Sequence, residues 1–257
     1  MTGEEFNNYD IVADLYDTYV PVDFDIQFFV NETRKRKGDV LELMSGTGRI
    51  SMPLLEAGVC LTCVDNSAKS NVILRQKLEQ KSLKVDIYDM DVRQLDLHKQ
   101  FSMIIIPFSS FAHVVSREDQ RQALERIYQH LIPGGVFICT LSNPSTRKQA
   151  VDGQLHLAYT YTLSGQEKLL LWILEKFDPQ DDQVVQAFEL FEHYNADGVM
   201  TSKRLMELHF RISEKIEFEE LLTSTGFSIQ AVYGDYEYHS FDEHSSPILI
   251  WITVKNE

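Results

Sequence analysis

Cations are scarce in this chain. Its 257 residues hold 24 lysines and arginines against 39 aspartates and glutamates, a net charge of −15. A phosphate backbone is held by cations that displace its counterions, so no nucleic acid partner is expected. The basic cluster Arg34-Lys35-Arg36-Lys37 sits just before Gly38 at the apparent end of a helix, where cations suit the helix dipole. Cysteine is scarce too: Cys60, Cys63 and Cys139 cannot close a disulfide framework, and they fit a reducing, cytoplasmic compartment. Cys60 and Cys63 form a CxxC within a predicted strand, where residues three apart point to opposite faces, which argues against a shared metal. No apolar run approaches the ~20 residues that span a bilayer, and Met1 to Asp10 is polar and acidic, so neither a membrane anchor nor a signal peptide is expected. What remains is an ordinary soluble composition, 44% apolar and 25% charged, long enough for one α/β domain carrying an insertion.

The first half alternates short apolar runs with helical patterns. Strands are predicted at Asp39 to Leu43, Val59 to Val64, Lys84 to Tyr88, Met103 to Pro107 and Val136 to Leu141. Helices are predicted between them, at Arg49 to Ala57, Ala68 to Gln80 and Arg117 to Leu131. This alternation implies a doubly wound, mostly parallel sheet with helices on both faces. The helix from Arg117 stops at Pro133-Gly134-Gly135. After Asn143-Pro144 the rhythm changes to four strand-like segments, Leu155 to Leu163, Lys168 to Phe177, Gln183 to Tyr194 and Val199 to Phe210, separated by good turn sequences. They read as an inserted antiparallel meander rich in aromatics. A helix led by Ser213 and two strands, near Phe227 to Tyr233 and Ile248 to Val254, then complete the sheet. The resulting division is 1-143, 144-212 for the insertion, and 213-257 for the last helix and closing hairpin. His239 and His244 with Asp242 and Glu243 lack a third patterned ligand and read as loop residues rather than a metal site.

The most informative stretch is Val40-Leu41-Glu42-Leu43-Met44-Ser45-Gly46-Thr47-Gly48-Arg49. It joins a strand to a helix through two glycines, a turn that lets a ligand lie against backbone N–H groups. It lacks the last glycine of the dinucleotide pattern. Glu42 at its entrance would repel a diphosphate but favour the α-ammonium group of an amino-acid ligand. S-adenosylmethionine (SAM) offers such an ammonium, a ribose diol and an adenine, and carries no phosphate. Asp65 ends the second strand, where a Rossmann-like unit keeps its ribose-binding acid.

The order Glu42-x-x-x-Gly46-x-Gly48, then Asp65, then Asp91, then Leu131-x-Pro133-Gly134-Gly135 resembles class I SAM-dependent methyltransferases of the small-molecule type, over about residues 6 to 141. The resemblance implies a cofactor site around Glu42, Met44, Ser45, Gly46 and Gly48. It adds Asp65 and Asn66 at the ribose, Asp91 and Val92 at the adenine, and Tyr16 and Pro107 beside them. The family commonly has glycine at the position of Met44 and aspartate at that of Ser102. Tyr9-Asp10, Ala13 and Tyr16-Asp17 resemble the family's N-terminal lid helix, with Tyr9 closing over the substrate. Pro107-Phe108-Ser109-Ser110-Phe111-Ala112-His113 resembles a stretch of several small-molecule members, which makes His113 the candidate catalytic base and Phe108 and Phe111 candidate acceptor contacts.

Methyl transfer from a sulfonium is an in-line displacement, in which the protein aligns the acceptor and excludes water. A base is needed only when the acceptor is protonated, and His113 has the ordinary pKa for that task. The expected activity is therefore SAM-dependent methylation of nitrogen or oxygen in a small-molecule acceptor. The alternatives are a non-catalytic SAM-binding or sensing module and a nicotinamide-dependent oxidoreductase, which Glu42 disfavours. The meander is expected to cover the substrate, or to pair two copies into a homodimer through an exposed edge.

Overall fold

Every residue of Phe101–Ile106 is buried, as a strand covered by helices on both faces requires. Along it Ile104 and Ile106 enter one apolar core and Met103 and Ile105 the other, because successive side chains alternate across the sheet. This is a computed structural model, which describes residues 6–256. Its helices are α1 (Tyr16–Tyr19), α2 (Ile26–Arg34), α3 (Ser51–Glu56), α4 (Ala68–Lys81), α5 (Arg117–Gln129), α6 (Pro144–Gln149) and α7 (Lys215–Ser224). The strands are β1 (Val40–Leu43), β2 (Leu61–Asp65), β3 (Asp86–Asp89), β4 (Phe101–Ile106), β5 (Leu131–Ser142), β6 (Leu155–Thr162), β7 (Lys168–Asp178), β8 (Asp181–Tyr194), β9 (Met200–Arg211), β10 (Phe227–Tyr233) and β11 (Ile248–Lys255).

The larger sheet has seven strands in the order β10-β11-β5-β4-β1-β2-β3, parallel from β5 to β3 and closed by antiparallel β11 and β10. This is the doubly wound sheet with a closing hairpin that the alternating pattern implies. One face packs on α5 and α7 through Leu124, Ile127, Phe218 and Leu222; the other packs on α2, α3 and α4 through Phe28, Phe29, Leu54 and Leu74. Side chains buried to this degree contribute roughly 1.5 to 3 kcal/mol each. Helices α4 and α5 start where Ser67 and Ser116 accept the backbone N–H of Ser70 and Asp119.

The second sheet is the antiparallel meander β6-β7-β8-β9. Its inner face, with Leu169, Leu171, Ala187, Phe191, Met206 and Leu208, packs on Val12 and on the half-buried Tyr9, Ile11, Leu15 and Tyr19. The N-terminal segment is thus held between the two sheets.

Three local readings differ from the structure; in one, Pro133-Gly134-Gly135 lies inside β5, which starts at Leu131, rather than ahead of the strand. The expected lid helix is three separate turns, 3-10 turns at Tyr9–Ile11 and Ala13–Leu15 followed by the single turn of α1. Val12, at φ −130°, breaks the helical path between the first two, and neither later turn has a side-chain cap. Contacts with other parts of the chain hold the segment instead. Helix α6, absent from the sequence reading, begins at Asn143, whose side chain accepts from Ser145 N–H with Pro144 in the first turn.

Candidate active site

The ends of β1, β2 and β4, the N-terminal turns and β8 enclose a cavity of about 530 Å³. Its floor is the turn after β1. Met44 adopts φ +57°, the left-handed conformation that glycine takes most easily, so it makes the turn without a glycine. Gly46, at φ +54°, has nothing within 4 Å of where a Cβ would lie, so its backbone is open to an incoming ligand. Gly48 is constrained by packing: a Cβ there would overlap Leu74 of α4.

Asp65 is fixed at the rim by two backbone donors, Gly46 N–H to Oδ2 and Ser67 N–H to Oδ1, both at 2.7 Å. Burial raises its carboxyl above the ordinary range, and these two donors act in the opposite direction. Asn66 lies beside it on the wall. Asp91 and Val92 also line the cavity. Asp91 already receives Arg93 Nε at 2.9 Å, Nη2 at 2.6 Å and the Arg93 backbone N–H at 2.8 Å. Burial would raise its carboxyl, but these contacts outweigh it and hold it low.

Glu42 does not line the cavity. It is buried beneath the turn and accepts from Ser51 Oγ at 2.6 Å. Burial pushes its carboxyl up to about 8 against that hydrogen bond, so it is mainly protonated at neutral pH. The repulsion of a diphosphate expected from its charge is therefore not supported in this state. Ser45 is also tucked under the turn, its N–H donating to Val64 at 3.2 Å. Gly48 and Pro107 likewise support the turn and the β4 end rather than line the cavity.

The segment after β4 divides the aromatics. Phe108 and Ser109 both have φ near +57°, at 56° and 57°, a backbone cost of roughly 1 to 3 kcal/mol each. Ser109 N–H donates to Thr140 Oγ1 at 3.1 Å and helps hold this bend. The bend brings Phe108 to the cavity wall, over the Arg49 guanidinium at 4.5 Å. Arg49 is itself paired in bidentate fashion with buried Asp25. Phe111, expected at the acceptor, turns into the core against Phe218, with ring centroids 5.6 Å apart.

His113 reaches the cavity. Its Nδ1 lies 3.3 Å from the carbonyl of His209 and its Nε2 3.0 Å from the Tyr9 hydroxyl. Burial lowers its pKa against the His209 contact, so the ring is neutral. A proton on Nδ1 then leaves Nε2 as the acceptor for Tyr9. Tyr16 and Tyr19 complete this wall, with ring centroids 5.3 Å apart, edge to face.

The N-terminal turns are tied to both sheets. Asp10 accepts from Ser67 Oγ at 2.6 Å, Asp17 accepts from Thr47 Oγ1 at 2.7 Å and pairs with Lys77, and Asp14 pairs with Arg204 of β9. Tyr161 of β6 donates to the Tyr19 carbonyl at 2.9 Å. Glu189 of β8 lines the cavity and was missed in the sequence. The signal is there: in Val185-Gln186-Ala187-Phe188-Glu189-Leu190-Phe191 it is the one charge on an otherwise apolar alternate face. In the loop before β11, His239 Nδ1 lies 2.7 Å from Asp235 Oδ2, and Asp235, Glu237 and His239 hold their ligand atoms within 4.8 Å of one another, whereas Asp242 accepts from the backbone of His244 and Ser245. Cys60 is exposed just ahead of β2, and Cys63 is buried within it.

Residues 40–135 match the model of a family described as a methyltransferase domain. The chain is 27% identical over 222 residues to a glycine/sarcosine N-methyltransferase of Aphanothece halophytica, covering 84% of this chain and 77% of that protein. It is 32% identical over 119 residues to a glycine/sarcosine N-methyltransferase of Halorhodospira halochloris, where the match spans 45% of this chain and 44% of the relative's length. Its fold is similar to that of a SAM-dependent methyltransferase from Clostridium acetobutylicum, with a TM-score of 0.82 at 18% identity, covering 98% of this chain and all of the other.

Proposed function

We propose that this chain is a class I SAM-dependent methyltransferase that carries the methyl group of SAM to a nitrogen or oxygen of a small organic acceptor. The observation that supports this reading most is the convergence of Gly46, Asp65 and Asp91 on one cavity that also receives Tyr9 and His113. The named relatives that act on glycine and sarcosine favour nitrogen.

The residues present suit the cofactor. Gly46 leaves open space over its backbone, and Asp65 keeps carboxylate lone pairs beyond the two taken by backbone N–H groups, enough to meet a diol. Met44, Asn66, Val92 and Tyr16 would complete the contact surface, and Asp91 would present its edge to the exocyclic amine. Glu42, Ser45, Gly48 and Pro107 would act from behind by fixing the turn and strand ends. Bound SAM supplies an electrophilic methyl group on a cationic sulfur.

The chain's own task is alignment and proton handling. Alignment alone lowers such barriers by roughly 7 to 11 kcal/mol. Tyr9 and Phe108 would hold the acceptor, while neutral His113 keeps Nε2 directed at the Tyr9 oxygen. A proton given up by the acceptor to Tyr9 can therefore be matched by one passed from Tyr9 to His113. The test is incubation with methyl-labelled SAM and a panel of small amines and alcohols. Transfer to at least one acceptor is expected; SAM binding with no transfer to any would leave a binding module as the better reading.

A further inference from the structure

The meander contributes two titratable side chains to the cavity, Glu189 and His209, and among the described residues Glu189 has no hydrogen-bond or ion-pair partner. Glu189 shares the inner face of β8 with Ala187 and Phe191 and sits between Ile173 of β7 and Met206 of β9. Its Oε2 is shielded from solvent and makes no hydrogen bond among the described residues; the same holds for the Tyr19 hydroxyl, which lines the same cavity. The side chain is half-buried, but an unpaired, solvent-shielded carboxylate oxygen is costly, so its retention on an apolar face points to a ligand that completes it.

The surroundings specify the charge of that ligand. Glu175 of β7, one register position away on the same face, is already paired with Arg147 at 2.6 Å. Among the described residues no lysine, arginine or histidine forms an ion pair with Glu189. Tyr9, Tyr19 and Tyr161 are close enough to feel its charge, and all three phenols are held above their ordinary range, chiefly by burial. Burial, and then repulsion from Glu175, push the Glu189 carboxyl up to about 7. The groups that feel its charge are thus phenols and a second acid, a setting that favours a cation. Tyrosine ring faces attract the same kind of group.

We propose that Glu189, with Tyr9 and Tyr19, anchors the methyl acceptor's amine as its ammonium form, so that the pocket selects amines over alcohols of the same shape; the ammonium gives one proton to Tyr9 as Tyr9 passes its own to His113 Nε2, which frees the lone pair for the methyl group. The proposal rests on the methyltransferase reading and narrows its acceptor class. Glu189 contributes a hydrogen-bonding carboxylate, Tyr19 a free hydroxyl, and the two rings a surface on which a cation is favoured. A hydroxyl acceptor could donate a hydrogen bond to the carboxylate but would leave its charge unbalanced.

The test is a calorimetric titration of protein loaded with S-adenosylhomocysteine, using cyclohexylamine and its neutral counterpart cyclohexanol near neutral pH. Wild-type protein is expected to bind the amine about 10-fold or more tightly, the effect of one hydrogen bond to a charged group. Glu189→Gln keeps the shape and removes an unpaired charge, so it is expected to fold, to bind S-adenosylhomocysteine as before and to lose that preference. A wild-type protein without amine preference, or a Gln variant that retains it, would overturn the assignment of Glu189 while leaving the methyltransferase reading intact. Failure of wild-type protein to bind S-adenosylhomocysteine would overturn the reading beneath both.

Discussion

At Glu42 the sequence and the structure give the same residue different work. From the sequence it is a charge at the mouth of a turn; in the fold it is a buried acid whose proton is retained up to about pH 8 and whose partner is Ser51. An ordinary glutamate in the unfolded chain releases its proton near 4.5. Between these values the folded state holds the extra proton, so stability falls as pH rises. Glu42→Gln removes that dependence while keeping an acceptor for Ser51. Thermal melts should show the variant gaining on wild type from about pH 5 to pH 8; parallel curves would contradict the assignment. Asp65 is the opposite case, a residue whose place at the strand end was legible from spacing alone. Asp65→Ala should weaken SAM binding by roughly 1.5 to 3 kcal/mol, the range for hydrogen bonds to a charged group, and calorimetry showing unchanged affinity would exclude it from the ribose site. For His113, burial keeps the ring neutral to below its ordinary 6.5. If it takes the acceptor's proton, single-turnover rates should fall only below about that pH, and His113→Ala should cost about 10²- to 10⁴-fold; a wild-type rate would remove it from the mechanism.

The elements differ in how openly the sequence displays them. Strands and helices of the large sheet are legible because burial on both faces demands unbroken apolar runs, as in Met103 to Ile106, between amphipathic segments such as Ala123, Leu124 and Ile127. The meander is legible because its turns carry Gly165, Pro179 and Gly198 between alternating strands. The N-terminal turns are not, since distant partners fix them: Asp10 by Ser67, Asp14 by Arg204 and Asp17 by Thr47. The inward turn of Phe111 is equally hidden, because it follows from two left-handed residues, Phe108 and Ser109, neither of which is glycine. The Asp14–Arg204 pair is substantially exposed, so its loss should cost at most about 1 kcal/mol of global stability. Its effect should be local. In Asp14→Ala, amide hydrogen exchange is expected to quicken in residues 9–19 and not in β4 or β5; unchanged exchange there would show that the pair does not hold the segment.

For the molecule as a whole, the order of elements was enough to imply the seven-stranded sheet, but the cavity was not implied by any one stretch. Its walls come from Tyr9 and Tyr19, from Gly46 and Asp65, from Asp91, from His113 and from Glu189, brought together only when the meander folds over the ends of the parallel strands. Local pattern singles out the first of these wall residues and not the last, because Glu189 is meaningful only once its strand faces the N-terminal turns. The net charge of −15 and the acids around the cavity suit a ligand with cationic groups. The most direct check is a calorimetric titration of the intact chain with SAM, S-adenosylhomocysteine and NAD. Binding of both sulfur nucleosides at one site per chain, with NAD ignored, is the expected result; NAD binding with neither sulfur nucleoside bound would contradict the assignment of the cavity.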